Sequence, residues 1–321
     1  MRTPYVQSWN LNLQQQVAGS FAVEVAYVGS KGTRLTRLYD ANQGRDFLIN
    51  NPAYPQYAAV DVFSGSANST YNGLQATVRL QQFHGFTGFS TYTFSKSLDG
   101  ASDGINFNFA NAALPQDSTN LPAEKGPSTF DTRHRWTTAI NYSVPTSEKI
   151  PHVLGAGWQL NSIITVQSGR PINIITDAGG MNFNYNQRPD IVPGINPILP
   201  SWTPSTGYLN PNAFTYPVVT AADPFGYFGT LGRDQIYGPG FWNIDFSTTK
   251  TFPLRERLTL QFLAEFFNIF NHPNFALPNN VISPGSAPAG EIRQTPDVAQ
   301  GNPGLGGGGP RVMQFGLRLQ F

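Results

Sequence analysis

An all-β, antiparallel transmembrane β-barrel segment is the architecture this sequence predicts, and three observations predict it. The last eleven residues, Arg311 to Phe321, set Met313, Phe315, Leu317, Leu319 and Phe321 against Gln314, Gly316, Arg318 and Gln320, and the chain ends on an aromatic residue. That is the expected ending of a strand with one face to lipid and one to a lumen. Only 12% of residues are charged, about half the usual share of roughly 25%, yet mean hydropathy is −0.26, so the polarity comes from Asn, Gln, Ser and Thr. Uncharged polar side chains suit a wet lumen wall and cost little as a strand enters a bilayer. The third observation is an alternation of short and long connections along the chain.

Period-2 alternation picks out nine segments in order. Residues 5–17 carry Trp9, Leu11 and Leu13 against Asn10, Asn12 and Gln14, and 20–28 carry Phe21, Val23, Val25 and Tyr27 against Glu24. Residues 72–81 set Leu74, Ala76, Val78 and Leu80 against Gln75, Thr77 and Arg79; 86–95 set Phe86, Tyr92 and Phe94 against a Thr-rich face. The fifth and sixth, 135–143 and 157–167, offer Trp136, Ile140 and Tyr142, then Trp158, Leu160, Ile164 and Val166. The seventh, 241–251, offers Trp242, Ile244 and Phe246 against Asn243 and Asp245. The eighth, 257–267, offers Leu258, Leu260, Phe262 and Phe266 against Gln261 and Glu265, and the ninth is the terminal strand. Each has about the 9–11 residues that cross a bilayer as a tilted strand. Tyr27, Trp136, Tyr142, Trp158 and Trp242 fall near segment ends, where an interface offers a ring both apolar and wet surroundings.

Short links at Ala18-Gly19, His84-Gly85 and Pro253–Glu256, with a moderate one at 144–156, fit periplasmic turns. Long links at 31–70, 97–133, 169–240 and 269–310 fit extracellular loops, and the ninth strand then runs down to leave Phe321 at the periplasmic rim. Loop 169–240 holds ten prolines. The phase of the sixth strand continues through Ile172, Ile174 and Thr176, which predicts a strand projecting above the membrane. An odd count of nine leaves either a tenth strand hidden in 169–240 or strands upstream of Met1, and the second is expected. The opening M-R-T-P-Y-V-Q-S-W-N carries no apolar export signal, which also points upstream.

The exclusions are wide. A net charge of +1 without basic runs gives no nucleic-acid footprint. There is no Cys, hence no thiolate chemistry, and no run of 18 apolar residues, hence no transmembrane helix. His84, His134, His152 and His272 lack metal-ligand spacing, and no nucleophile–base pair appears, so no enzyme, metal or cofactor is expected. Asp131–Arg135 reads as a loop terminus at the outer rim, and Asp99–Asp103 as a turn lacking a full calcium ligand set. The run Gly306–Gly309 reads as a linker.

The substrate-binding candidates are charges on the lumen face, Arg79, Asp245, Glu265 and Arg318, each of which could instead pair across the wall. Asp245 and Glu265 lie on adjacent strands, so water or a basic partner should offset their repulsion. Loop aromatics, foremost Trp202, Tyr208 and Tyr227 with Phe214, Tyr216, Phe225 and Phe228, could stack on a ligand or pack on one another to cap the mouth.

Several stretches resemble the barrel of TonB-dependent outer-membrane receptors of the Oar-like group, which carry a carboxypeptidase-regulatory-like domain ahead of a plug. They are P-Y-V-Q-S-W-N-L-N-L-Q (4–14), V-A-Y-V-G-S-K-G-T-R-L (25–35), Y-T-F-S-K-S-L-D (92–99), F-D-T-R-H-R-W (130–136), Q-S-G-R-P (167–171), A-E-F-F-N-I-F-N-H-P-N-F (264–275) and the terminal L-R-L-Q-F. The resemblance implies that residues 1–321 are the carboxyl-terminal part of a 22-stranded barrel, one partial domain without the plug or regulatory-like domain. It implies a bacterial outer-membrane location, lipid around the wall, and a TonB complex reached only through the missing plug. It also implies that Phe315, Leu317, Leu319 and Phe321 are read by the barrel-assembly machinery. The function implied is uptake of an iron chelate, oligosaccharide or peptide. A structural or adhesive surface protein and a small porin are the alternatives.

Overall fold

The computed structural model describes residues 2–43, 54, 56–57, 60–102, 114–146, 151, 155–176, 186–217, 227–255, 257–283, 285, 288–296 and 308–321. Nine long strands form an antiparallel meander in which every strand pairs with its sequence neighbours. They are β1 (Tyr5–Ala18), β2 (Phe21–Asp40), β3 (Asp61–Phe83), β4 (Phe86–Asp99), β5 (His134–Ser143), β6 (Trp158–Gln167), β7 (Phe241–Arg255), β8 (Leu258–Phe267) and β9 (Val312–Gln320). The two-residue strand Gly126–Pro127 adds to the top of β4. Among the described residues, β1 and β9 end the sheet unpaired on their outer edges.

Register puts the predicted faces in continuous rows, because residues directly opposite in antiparallel strands share a face. One row runs Leu13, Val25, Ala76, Tyr92, Trp136, Val166, Trp242. The adjacent row on the other face runs Gln14, Glu24, Thr77, Thr91, Thr137, Thr165, Asn243. In β9, Phe315, Leu317 and Leu319 lie opposite Ala264, Phe262 and Leu260, and Leu317 is 73% exposed. Exposed leucine and phenylalanine on a continuous face is a surface built for lipid. The upper aromatic row holds Tyr92, Trp136 and Trp242; a lower one includes Phe86 stacked on Tyr142 with ring centroids 4.2 Å apart.

Lys250 interrupts the lipid-side phase near the periplasmic end, opposite Trp158. It is buried, donates to the Ala156 carbonyl and lies 5.3 Å from the Trp158 ring and 5.0 Å from Phe252. A cation held against aromatic faces in the interfacial zone is tolerated where one at the bilayer centre would not be.

The turn between β3 and β4 has His84 at φ 51° and Gly85 at φ 87°, the pair of positive values a two-residue type I′ hairpin requires. Gly85 also leaves no room for a side chain, since a Cβ would stand 2.5 Å from the Ser143 carbonyl oxygen.

Two expectations are corrected. Half of the link expected over 31–70 is strand: β2 continues to Asp40 and β3 begins at Asp61, paired up to Asp40–Asp61. Above the membrane neither face meets lipid, so the segment from Lys31 to Arg37 has no apolar alternation to reveal it. The sixth strand does not continue through Ile172 and Ile174. It ends at Gln167; the Gly169–Pro171 segment breaks it, and Gly169 passes so near the Gly238 carbonyl that only a glycine fits. Within 169–240 the described strands are two to six residues long, and none joins the wall.

Candidate functional site

The lumen-side candidates are placed one by one, not together. Arg79 approaches Glu24 at 3.5 Å, both partly exposed, and Asn12 Nδ2 donates to Glu24 at 2.6 Å. Such a hydrated pair contributes little to stability. Asp245 is structural: its Oδ1 accepts Asn243 Nδ2 at 2.8 Å and the Asn268 backbone N–H at 2.9 Å. Asn268, at φ 50°, in turn donates its amide to the His272 and Gly309 carbonyls and ties the β8 exit to the start of β9. Glu265 stands opposite Ser247 rather than Asp245, so the anticipated repulsion is relieved by register and by the amide donors on Asp245, with no ion pair to either carboxylate among the described residues. Arg318 lies opposite Gln261 near the periplasmic end of the edge strand.

The loops over the outer end build a core of their own. Ile172, Ile174, Leu209, Phe214, Ile236 and Ile282 are among its buried members. Trp202 packs edge-on against Tyr208 at 5.0 Å and Phe275 at 5.3 Å, and the Tyr208 hydroxyl donates to the Tyr237 carbonyl at 2.8 Å. These two aromatics pack on each other and on the loop core. Tyr227 differs: its ring is exposed, while its hydroxyl donates to Asp190 Oδ2 at 2.6 Å. Phe225, His152 and Asp103 lie outside the described residues.

Burial pushes the Tyr208 phenol up to about 12 from its ordinary 10.0. A folded-state value above the unfolded one means that the stability from the neutral hydroxyl is whole below pH 10.0 and lost as pH rises through about 12. The melting midpoint of the loop assembly should fall across that window. In Tyr208→Phe the fall should be shallower, as followed by near-ultraviolet dichroism in an alkaline titration.

A buried polar cluster joins the connection between β4 and β5 to that between β6 and β7. Arg188 grips Glu124 through two 2.9 Å bonds, and its Nε donates to Leu231 O at 2.7 Å. Arg233 donates to Glu124 O at 2.8 Å and Asp99 O at 2.7 Å, and pairs with the Asp99 carboxylate and with Asp234. Asp99 is thereby paired with Arg233, and among the described residues no group of three or more His, Cys, Asp and Glu side chains is gathered. Asp131 likewise ends its loop as a fastener: it accepts from Ser97 N at 2.6 Å, Lys96 Nζ at 2.7 Å and Tyr237 Oη at 2.9 Å. The histidines are apart: His134 meets the Tyr92 hydroxyl at 2.7 Å and His272 stacks on Trp242 at 4.0 Å, where burial lowers its pKa.

On the outer rim of this assembly is a cleft of about 440 Å³ lined by Gln43, Asp117, Thr119, Tyr227 and Phe228. Sequence reasoning singled out Tyr227 and Phe228. It missed Gln43, Asp117 and Thr119, which local pattern does not distinguish from other polar loop residues.

The family described as outer membrane beta barrel domain matches residues 1–314. No curated protein matches the chain in sequence. Among solved structures, the outer membrane transporter YddB from Escherichia coli superposes with a TM-score of 0.52 at 10% identity, over 99% of this chain and 33% of its own. The ferric citrate transporter FecA gives 0.44 at 12% identity over 98% and 31%. The ferric-catecholate import receptor Fiu from E. coli K12 gives 0.42 at 11% over 98% and 27%. The chain thus spans about a third of the length of the solved structures it matches. At such identity the likeness to YddB is one of fold, and the two looser superpositions add nothing to it.

Proposed function

Because this chain belongs to the outer membrane beta-barrel domain family, a wall of the bacterial outer membrane and not an enzyme fold, we propose that it forms the carboxyl-terminal wall and extracellular loops of a TonB-dependent uptake receptor. The observation that carries the reading is strand direction. β1 and β9 run in the same direction, since an odd number of antiparallel strands lies between them. Pairing them directly would make a parallel contact, so antiparallel closure needs an odd number of further strands. Thirteen would complete the 22-stranded barrels of outer-membrane transporters. That 99% of this chain covers only 33% of the outer membrane transporter YddB supports a larger whole.

The lumen face gives a second support. In the lumen-side row Arg79, Phe89, Ala139, Ile163, Asp245 the three middle positions are apolar, and Phe89 and Ile163 are 41% and 51% exposed, an apolar patch between two charges. A water-filled small porin has no use for such a patch, whereas a protein plug seated in the lumen would cover it and meet the charges at its two ends. Substrate gripped by the loops would enter as the plug rearranges.

An antibody to the terminal strand should detect a native outer-membrane polypeptide far larger than 35.1 kDa. Cells carrying that polypeptide should accumulate its ligand only when energised and TonB-competent. A heat-modifiable band near 35.1 kDa would overturn the partial-barrel reading in favour of a small porin. Ligand held at the surface without accumulation would favour adhesion.

A further inference from the structure

We propose that the rim cleft is a binding site for a neutral oligosaccharide, which rests on the uptake reading only for its role as the point of capture. The cleft volume of about 440 Å³ lies in the range of small-molecule sites, about 300–1,000 Å³. Its walls come from three connections: Gln43 beyond β2, Asp117 and Thr119 between β4 and β5, and Tyr227 with Phe228 between β6 and β7.

These walls are fixed in place. Gln43 donates to the Gln116 carbonyl at 2.8 Å and accepts from Ser118 N at 2.6 Å. The Tyr227 ring is held at both ends, by its hydroxyl on Asp190 and by its carbonyl, which accepts Gln187 Nε2 at 3.0 Å. Gly229, next to Phe228, lies flush against the Arg188 carbonyl with no room for a Cβ, and accepts Gln116 Nε2 at 2.9 Å. The cleft is therefore mounted on the buried Arg188–Glu124 cluster, and a ligand meets a preorganised surface that costs little ordering on binding.

The chemistry on offer selects the ligand. Asp117 Oδ1 accepts from Thr119 N at 2.8 Å and from Thr119 Oγ1 at 2.6 Å, which leaves Oδ2 as an acceptor. With Thr119 Oγ1 already donating, that side of the cleft asks for hydroxyl donors. Tyr227 and Phe228 supply apolar ring faces against which the C–H face of a pyranose can lie. Among the described residues lining the cleft there is no Lys, Arg or His. An anionic iron chelate would meet the Asp117 carboxylate with no cation among the described lining residues to offset it, and uronic acids would fare as badly.

The test uses the full-length receptor in detergent, probed on an array of neutral, amino-sugar and uronic-acid oligosaccharides, with ferric citrate in solution as the anionic control. Neutral oligosaccharides should bind. Phe228→Ala should weaken them about tenfold or more, and Asp117→Asn, which keeps the turn and removes the charge, several-fold. Preference for uronic acids or ferric citrate, absence of any glycan binding, or binding untouched by both variants overturns the proposal. Oligosaccharide bound but never accumulated by energised cells would remove the uptake reading and leave the site. A ferric chelate accumulated by a receptor that binds no glycan would remove the site and leave uptake.

Discussion

Substituting Arg188 with methionine is expected to loosen the extracellular loops while the wall stays intact. Both Glu124 oxygens accept from the Arg188 guanidinium, and both side chains are nearly out of reach of solvent. Removing the cation leaves a buried carboxylate whose remaining listener is the Gln116 N–H at 3.2 Å, a loss of about 3–5 kcal/mol for a pair of this kind. Arg37, buried within the field of Glu124, should hold the loss toward the lower end. Hydrogen exchange in 114–133 and 227–240 should accelerate by orders of magnitude, with β5 to β8 unchanged. The double replacement Arg188→Met with Glu124→Leu removes both charges and should recover most of the protection. If the single variant exchanges like the parent, the cluster does not hold the loops together.

This cluster marks where the sequence stops being legible. The wall strands can be read because a bilayer imposes one rule on each of them, apolar outward at every second residue, and Leu74, Ala76, Val78 and Leu80 obey it without knowledge of their neighbours. Arg188, Glu124, Arg233 and Asp99 obey no local rule. They meet across sequence separations of 64 to 134 residues, from connections whose only local signature is proline, glycine and asparagine. One signal was available: in a chain only 12% charged, each charge within a long loop stands out as a candidate for burial. The loop core hides for the same reason, since Ile172, Leu209 and Ile282 sit in short apolar fragments that become a core only when two connections meet. Of the site, Tyr227 and Phe228 were legible as loop aromatics. Their distinction from Trp202 and Tyr208, exposed cleft against buried core, depends on packing and leaves no trace in composition.

A charge placed on alternate residues of the wall should cost very different amounts, and that difference tests the membrane reading itself. Ile140 lies opposite Gly88 and Ser162 on the lipid-side phase, between the Trp136 and Tyr142 rows, so Ile140→Arg puts a guanidinium close to the bilayer midplane. The expected loss is about 2–4 kcal/mol, read from urea unfolding of the full-length receptor in liposomes. Thr165→Arg, on the lumen-side row between Thr137 and Asn243, should be close to neutral, because the guanidinium stays hydrated and has Asp245 two residues along the neighbouring strand. A soluble sandwich would also punish one face and spare the other, but it would punish the face that packs against a second sheet. Among the described residues the outer face meets no second layer of protein, and its Trp136, Phe315 and Leu317 are exposed. An arginine on an exposed protein surface costs little in water and much in hydrocarbon. Equal tolerance of both substitutions would therefore mean that the outer face is wet, and the lipid-facing assignment would fall with it.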